Sequence, residues 1–140
     1  MPHRKAEIYL HFVWGTWKRE AMLTPDCENR IYGCVRLEIE GLGCDVLAIN
    51  GMPDHLHVVV RANPAVAVSN MVKQAKAVTT RMANDQRISG DAFKWQPGYG
   101  VFSLSRPHVE RAVAYVKNQK RRHADNNIWP QWEDCGDDDE

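Results

Sequence analysis

From Glu7 the chain alternates: Ile8, Leu10, Phe12 and Trp14 fall on one side, and Tyr9, His11 and Val13 on the other. This is the period-two signature of a half-buried strand. After the turn-like Thr24-Pro25-Asp26, the stretch 27 to 41 places Ile31, Cys34, Val35 and Ile39 near helical spacing and stops at Gly41 and Gly43, which predicts a helix. Two β-rich runs, CDVLAIN and HLHVVVR, flank Gly51-Met52-Pro53-Asp54 and read as an antiparallel pair joined by a short turn. Residues 66 to 84, after Pro64, align Val68, Met71, Val72, Ala75, Val78 and Met82 along one helical face. A stretch over 85 to 100 rich in glycine, aspartate and aromatic residues leads to a brief strand at Val101, Phe102 and Leu104. Ser105 then reads as the cap of a last helix to about Ala124, with Pro107 in its first turn.

The order β, α, β, β, α, β, α predicts an α+β domain: a ferredoxin-like antiparallel sheet with an additional C-terminal helix. With 140 residues and 44% hydrophobic content, one core is expected, spanning residues 1 to 132, followed by an acidic, mobile tail at 133 to 140. Six of the 18 acidic residues lie in that tail, so the zero formal charge conceals a body of 18 basic and 12 acidic side chains, a net +6. A basic body suits a nucleic-acid partner, whose phosphates attract it through counterion release. No apolar run approaches a membrane span, and the basic N-terminus lacks a secretory core, so no membrane partner and a cytoplasmic location are expected. Cys27, Cys34, Cys44 and Cys135 form no CxxC pair, which argues against a zinc knuckle.

In a strand His55 and His57 project from one face while Leu56, Val58 and Val60 anchor the other. Two imidazoles about 7 Å apart along the strand can converge on one ion. The short motif also fits two hydrogen-bonded core histidines. On the last helix Tyr115 and Gln119 are four apart and share a face. The glutamine can complete an oxygen-and-imidazole shell on Mg²⁺ or Mn²⁺, and the tyrosine hydroxyl can attack a phosphodiester. Spacing alone equally fits an interfacial tyrosine beside a surface glutamine. His11 shares a face with Tyr9, and His108 and His123 flank the last helix; none of the three is placed in the metal shell.

The blocks NGMPDHLHVVV, WQPGYGVFSLS and ERAVAYVKNQKRRH together resemble the HUH transposases with a single catalytic tyrosine, of the insertion-sequence-200 type and its REP-associated relatives. The resemblance spans roughly residues 7 to 123. It implies that His55, His57 and Gln119 bind a divalent metal, Mg²⁺ or Mn²⁺, with no nucleotide cofactor. It also implies that Tyr115 becomes joined to a DNA 5′ phosphate and leaves a free 3′ hydroxyl. It further implies a single-stranded DNA substrate with hairpin ends, and a homodimer. Lys73, Lys76 and Arg81 on the second helix and Lys117, Lys120, Arg121 and Arg122 after Tyr115 are candidates for phosphate contact. Trp95, Tyr99 and Phe102 could stack bases or simply pack. Two rival readings are a domesticated HUH endonuclease acting on chromosomal repeats, and a non-catalytic ferredoxin-like nucleic-acid binder.

Overall fold

The computed structural model describes residues 5 to 88, 90 and 92 to 136. The first strand is β1 (Tyr9–Gly15), followed by α1 (Glu28–Gly41), β2 (Asp45–Met52), β3 (His55–Arg61), α2 (Val68–Asp85) and β4 (Gly100–Leu104). The strands form one antiparallel sheet in the order β2-β3-β1-β4, the ferredoxin-like arrangement that the alternation and helix spacing predict.

Register decides which side chains reach which face. β1 and β3 pair Leu10 with Val60, Phe12 with Val58 and Trp14 with Leu56. All six are buried, and Ile31, Val35 and Ile39 of α1 and Met71, Val72 and Ala75 of α2 pack on them. A one-residue slip would put the histidines into this apolar core. In the observed register His11 lies opposite Val59 and His57 opposite Val13, on the other face. A β-bulge between Val46 and Ala48 sends Val46 to the helix side and Ala48 to the histidine side. A regular strand would keep these two residues on one side.

The histidine face is covered. α3 (Val109–Lys117) crosses β2 and β3 and buries Ala112, Tyr115 and Val116 against Ala48 and Val59. It is therefore packed against the sheet of its own chain. The single last helix expected from Ser105 to Ala124 is instead a 3-10 turn at Arg106–His108, then α3, then α4 (Gln119–Ala124), with a break at Asn118 (φ −100°, ψ 19°). There the Asn118 side chain donates to Ala114 O at 2.8 Å, the kind of local side-chain bond that competes with helix continuation. Ser105 caps no backbone N–H and instead meets His108 Nδ1.

After α4 the chain turns back across the same face. Trp129 stacks on the Tyr115 ring with centroids 4.9 Å apart, and Trp132 stands edge-on to Tyr115 at 5.1 Å and to His11 at 4.8 Å. Gln96 Nε2 donates to Cys135 O at 2.6 Å. Gly100 admits the Asp134 carbonyl at a point where any Cβ would collide with it. Glu133 and Cys135, expected to lie in a mobile tail, are therefore packed, half-buried and buried respectively, because two tryptophans and the Glu133 carboxylate hold the segment to the sheet, while Asp134 between them is exposed. Residues 137 to 140 lie outside the described residues.

Candidate active site

The hairpin that delivers the histidines is tight. A Cβ on Gly51 would collide with the His55 carbonyl oxygen and the Leu56 Cα, so only glycine fits opposite the start of β3. His55 and His57 are then held at 1% and 0% exposure, with ring centroids 5.1 Å apart. Each ring is gripped at Nδ1. His55 Nδ1 lies 2.7 Å from Asp54 Oδ1, and Asp54 is itself paired with Arg19 at 3.2 Å. Arg19 Nη2 is also 3.2 Å from His55 Nδ1, but a guanidinium only donates and a carboxylate only accepts. The shorter Asp54 contact assigns the Nδ1 proton to His55. His57 Nδ1 lies 2.9 Å from His11 Nε2.

Both Nε2 atoms therefore turn to one point, and the Glu133 carboxylate occupies it. His55 Nε2 is 2.9 Å from Oε1 and His57 Nε2 is 3.2 Å from Oε2. The Tyr115 hydroxyl donates to Oε2 and accepts the Trp129 backbone N–H at 3.0 Å. Gln119 Nε2 donates to Oε2 at 3.4 Å, and His123 Nε2 lies 3.1 Å from Oε1 and 3.0 Å from Gln119 Oε1. Burial would raise the Glu133 carboxyl, but the adjacent His55 and His57 rings hold it well below the usual carboxylate range. Burial and the Glu133 bond push Tyr115 up to about 12. Burial would lower His55, yet Asp54 and Glu133 outweigh it and raise its pKa, whereas burial keeps that of His57 down. His11 falls to about 3, through burial and then the neighbouring His57.

The donor set fits a divalent ion. His55, His57 and Glu133 offer two imidazole nitrogens and a carboxylate oxygen within 4.8 Å of one another, a combination that first-row divalent metals accept. His55 Nε2, although 2.9 Å from Glu133 Oε1, makes no hydrogen bond of acceptable geometry and is a buried atom without a partner. Gln119 is in the cluster and fully buried, but its amide nitrogen, not its oxygen, faces the centre. Tyr115, His55, His57 and Gln119 are thus brought together. Glu133, His123, His11 and Asp54 join them, and the sequence pattern had placed none of these four in the metal shell.

The basic candidates divide. The three protons of Lys76 are committed to Gln96 O (2.7 Å), Pro97 O (3.2 Å) and Gly98 O (2.8 Å), so this residue staples a loop and is not available to phosphate. Lys120 is likewise tied to Glu28 (3.0 Å), Asn50 Oδ1 (2.9 Å) and Gly51 O (3.1 Å). The Arg122 guanidinium lies over the Tyr115 ring, 4.8 Å from its centroid. Lys73, Arg81, Lys117 and Arg121 are exposed, and Arg121 is 3.7 Å from Asp125. Trp95 is buried with its N–H on Thr79 Oγ1 at 2.8 Å, a packing role. Phe102 meets the His11 ring edge-on at 6.1 Å.

Fold and site together define an α+β protein with a buried His-x-His pair on one sheet face, met by a tyrosine from the helix that crosses it. The chain belongs to the IS200-like transposase family, whose family model matches residues 4–119; that range includes His55, His57, Tyr115 and Gln119 and stops before Glu133. It is thus grouped with enzymes of DNA transposition. Among curated proteins it is similar to the ISDra2 transposase TnpA of Deinococcus radiodurans, 22% identical over 120 residues that cover 81% of this chain and 84% of that protein. Two solved structures share the fold. A candidate transposase of Deinococcus radiodurans R1 has a TM-score of 0.65 at 21% identity and covers 91% of this chain and 95% of its own. A REP-associated tyrosine transposase bound to a REP hairpin has a TM-score of 0.65 at 14% identity and covers 93% and 80%. Among the described residues no helix is long and apolar enough to cross a membrane.

Proposed function

We propose that the protein cleaves and rejoins single-stranded DNA, with Tyr115 as nucleophile and with His55, His57 and Gln119 holding Mg²⁺ or Mn²⁺. The observation that carries this reading is the seat of Glu133: both histidine rings, the tyrosine hydroxyl and the glutamine amide converge on one oxyanion. A scissile phosphate is likewise an oxyanion, and the carboxylate closes the space beside the Tyr115 hydroxyl that it would need. When bound, the divalent ion supplies Lewis-acid stabilisation of charge on the phosphate and leaving oxygen. Asp54 and His11 keep the two imidazoles aimed, and Gln119 presents its oxygen once its amide has rotated away from His123. The Tyr115 oxygen forms a bond to phosphorus as the bond to the 3′ oxygen breaks. A 5′-phosphotyrosine and a 3′ hydroxyl result, and a second 3′ hydroxyl reverses the step.

For DNA to enter, Glu133 and the tryptophans before it must withdraw, because Tyr115 is 0% exposed. Hairpin recognition is proposed from the hairpin-bound neighbour, with Lys73, Arg81, Lys117 and Arg121 as phosphate contacts. The alternative of a non-catalytic binder stacking bases on the open sheet has no free face to use, since α3 and residues 129 to 135 cover it. A homodimer is not needed to complete the site, because Tyr115 meets His57 within one chain, with ring centroids 5.9 Å apart. The test is incubation with single-stranded hairpin oligonucleotides drawn from the sequence flanking the gene, with Mn²⁺ or Mg²⁺, and mass spectrometry of the digested adduct. A nucleotide on Tyr115 is expected; one on Tyr99, or cleavage without any adduct, would overturn the assignment.

A further inference from the structure

We infer that His11 is a positioning residue for the metal, acting through His57 and able to serve as either donor or acceptor; this rests on the proposed metal site. His11 is 0% exposed on the strand next to β3, and its Nε2 is 2.9 Å from His57 Nδ1. Its Nδ1 is one of three buried side-chain atoms among the described residues that have no partner. A buried imidazole nitrogen without a partner costs free energy, so its persistence calls for a role that packing does not supply.

The two conditions of the site place opposite demands on His57. With Glu133 seated, His57 Nε2 faces carboxylate oxygens at 3.2 and 3.3 Å, which only accept, so Nε2 carries the proton. Neutral His57 then has a lone pair on Nδ1 and needs a donor, which is His11 Nε2–H. To ligate an ion, Nε2 must present its lone pair, the proton sits on Nδ1, and His57 needs an acceptor. Only a group that can exchange roles satisfies both. A carboxylate in the position of His11 could only accept, and an ammonium could only donate. An imidazole answers by moving its own proton to Nδ1, the atom that has no fixed partner. The pair carries two protons in both conditions. The His11 Nε2 proton passes to His57 Nδ1, the His57 Nε2 proton is released, and His11 Nδ1 takes one up. Trp132 of the C-terminal segment stands edge-on against His11 at 4.8 Å, so withdrawal of that segment also uncovers the ring that must exchange its proton. His55 differs: its Asp54 partner is an acceptor throughout, so its Nδ1 keeps its proton in both conditions.

The experiment uses the full chain and three forms: wild type, His11→Phe, which keeps a ring but no polar atom, and His11→Gln, whose amide can donate or accept. Mn²⁺ affinity is measured without DNA, and histidine tautomers are read by long-range ¹H–¹⁵N NMR with and without Mg²⁺. Phenylalanine is expected to weaken Mn²⁺ binding about 10- to 100-fold, the usual effect of losing a group that holds a metal ligand, and glutamine to restore most of it. In the wild type the His57 proton is expected to move from Nε2 to Nδ1 when Mg²⁺ is added. Unchanged affinity in His11→Phe overturns the inference. So does a wild-type His57 that keeps one tautomer with and without metal, a reading that stands even if His11→Phe does not fold. Failure of the metal site itself is distinguishable, because wild type would then bind Mn²⁺ no better than His57→Ala.

Discussion

Replacing Glu133 by alanine should accelerate formation of the Tyr115–DNA adduct. In the closed arrangement the carboxylate is the common partner of His55, His57, His123, Tyr115 and Gln119. Removing one partner of a buried charged pair costs about 3 to 5 kcal/mol. The Glu133 side chain keeps 13% exposure, which puts the loss at the lower end, about 3 kcal/mol of closure. Because only the open form admits DNA, its rarity lowers the apparent rate in proportion, and about 1.4 kcal/mol corresponds to a factor of ten. An increase of roughly a hundredfold is therefore expected where closure dominates, and less once the open form is the major one. The assay is the initial rate of covalent adduct on hairpin single-stranded DNA at saturating Mn²⁺. Amide exchange in residues 129 to 135 reports opening separately. Loss of protection with an adduct rate at or below wild type would refute the reasoning and place Glu133 in the chemistry itself.

Three further outcomes follow from the same contacts. Tyr115→Phe should abolish the adduct and also loosen the segment, because it leaves the Trp129 N–H without its acceptor, at about 1 to 3 kcal/mol; undiminished protection of Trp129 would count against the observed bond. Mixing Tyr115→Phe chains with His57→Ala chains should restore no adduct, since nucleophile and histidines meet within one chain; recovered activity would show exchange of helices between chains. Closure should also weaken as pH rises above about 6.5. Against burial, His55 has a pKa raised first by Asp54, which stays beside it, and then by Glu133, which leaves on opening, so the Glu133 share of its contribution is full below the ordinary histidine value and is lost as pH rises through the raised one. Glu133 has a depressed pKa, so its contribution is full above the ordinary carboxylate range and is lost only in acid. His57, lowered by burial, changes charge below that window. Protection factors in 129 to 135 that rise between pH 6.5 and 8 would contradict this.

The strands and their faces were legible because period two leaves little choice: once Leu10, Phe12 and Trp14 are assigned to the core, His11 must point the other way. The same logic placed His55 and His57 together. What pattern could not show was pairing. Only the β1–β3 register, with His11 opposite Val59 and His57 opposite Val13, brings His11 against His57, and no local spacing encodes that register. The break at Asn118 was hidden because its neighbours on both sides continue a helical pattern, while a single side-chain bond to Ala114 diverts the backbone.

Glu133 escaped for a different reason. It opens a run of six acids in eight residues, and such composition is the mark of a solvated terminus. The signal to the contrary lay just before it, where Trp129, Pro130 and Trp132 supply more apolar area than a free tail keeps in water. These rings bury against Tyr115 and His11, and in doing so they carry the first acid of the run into a cluster of histidines. Position beside the aromatic rings, which composition does not show, is what draws this carboxylate in. The family match ends at residue 119, ahead of this segment. The groups proposed for chemistry and the group that occupies their seat thus come from separate parts of the chain, and replacing Glu133 tells closure of the site apart from a part in holding the ion.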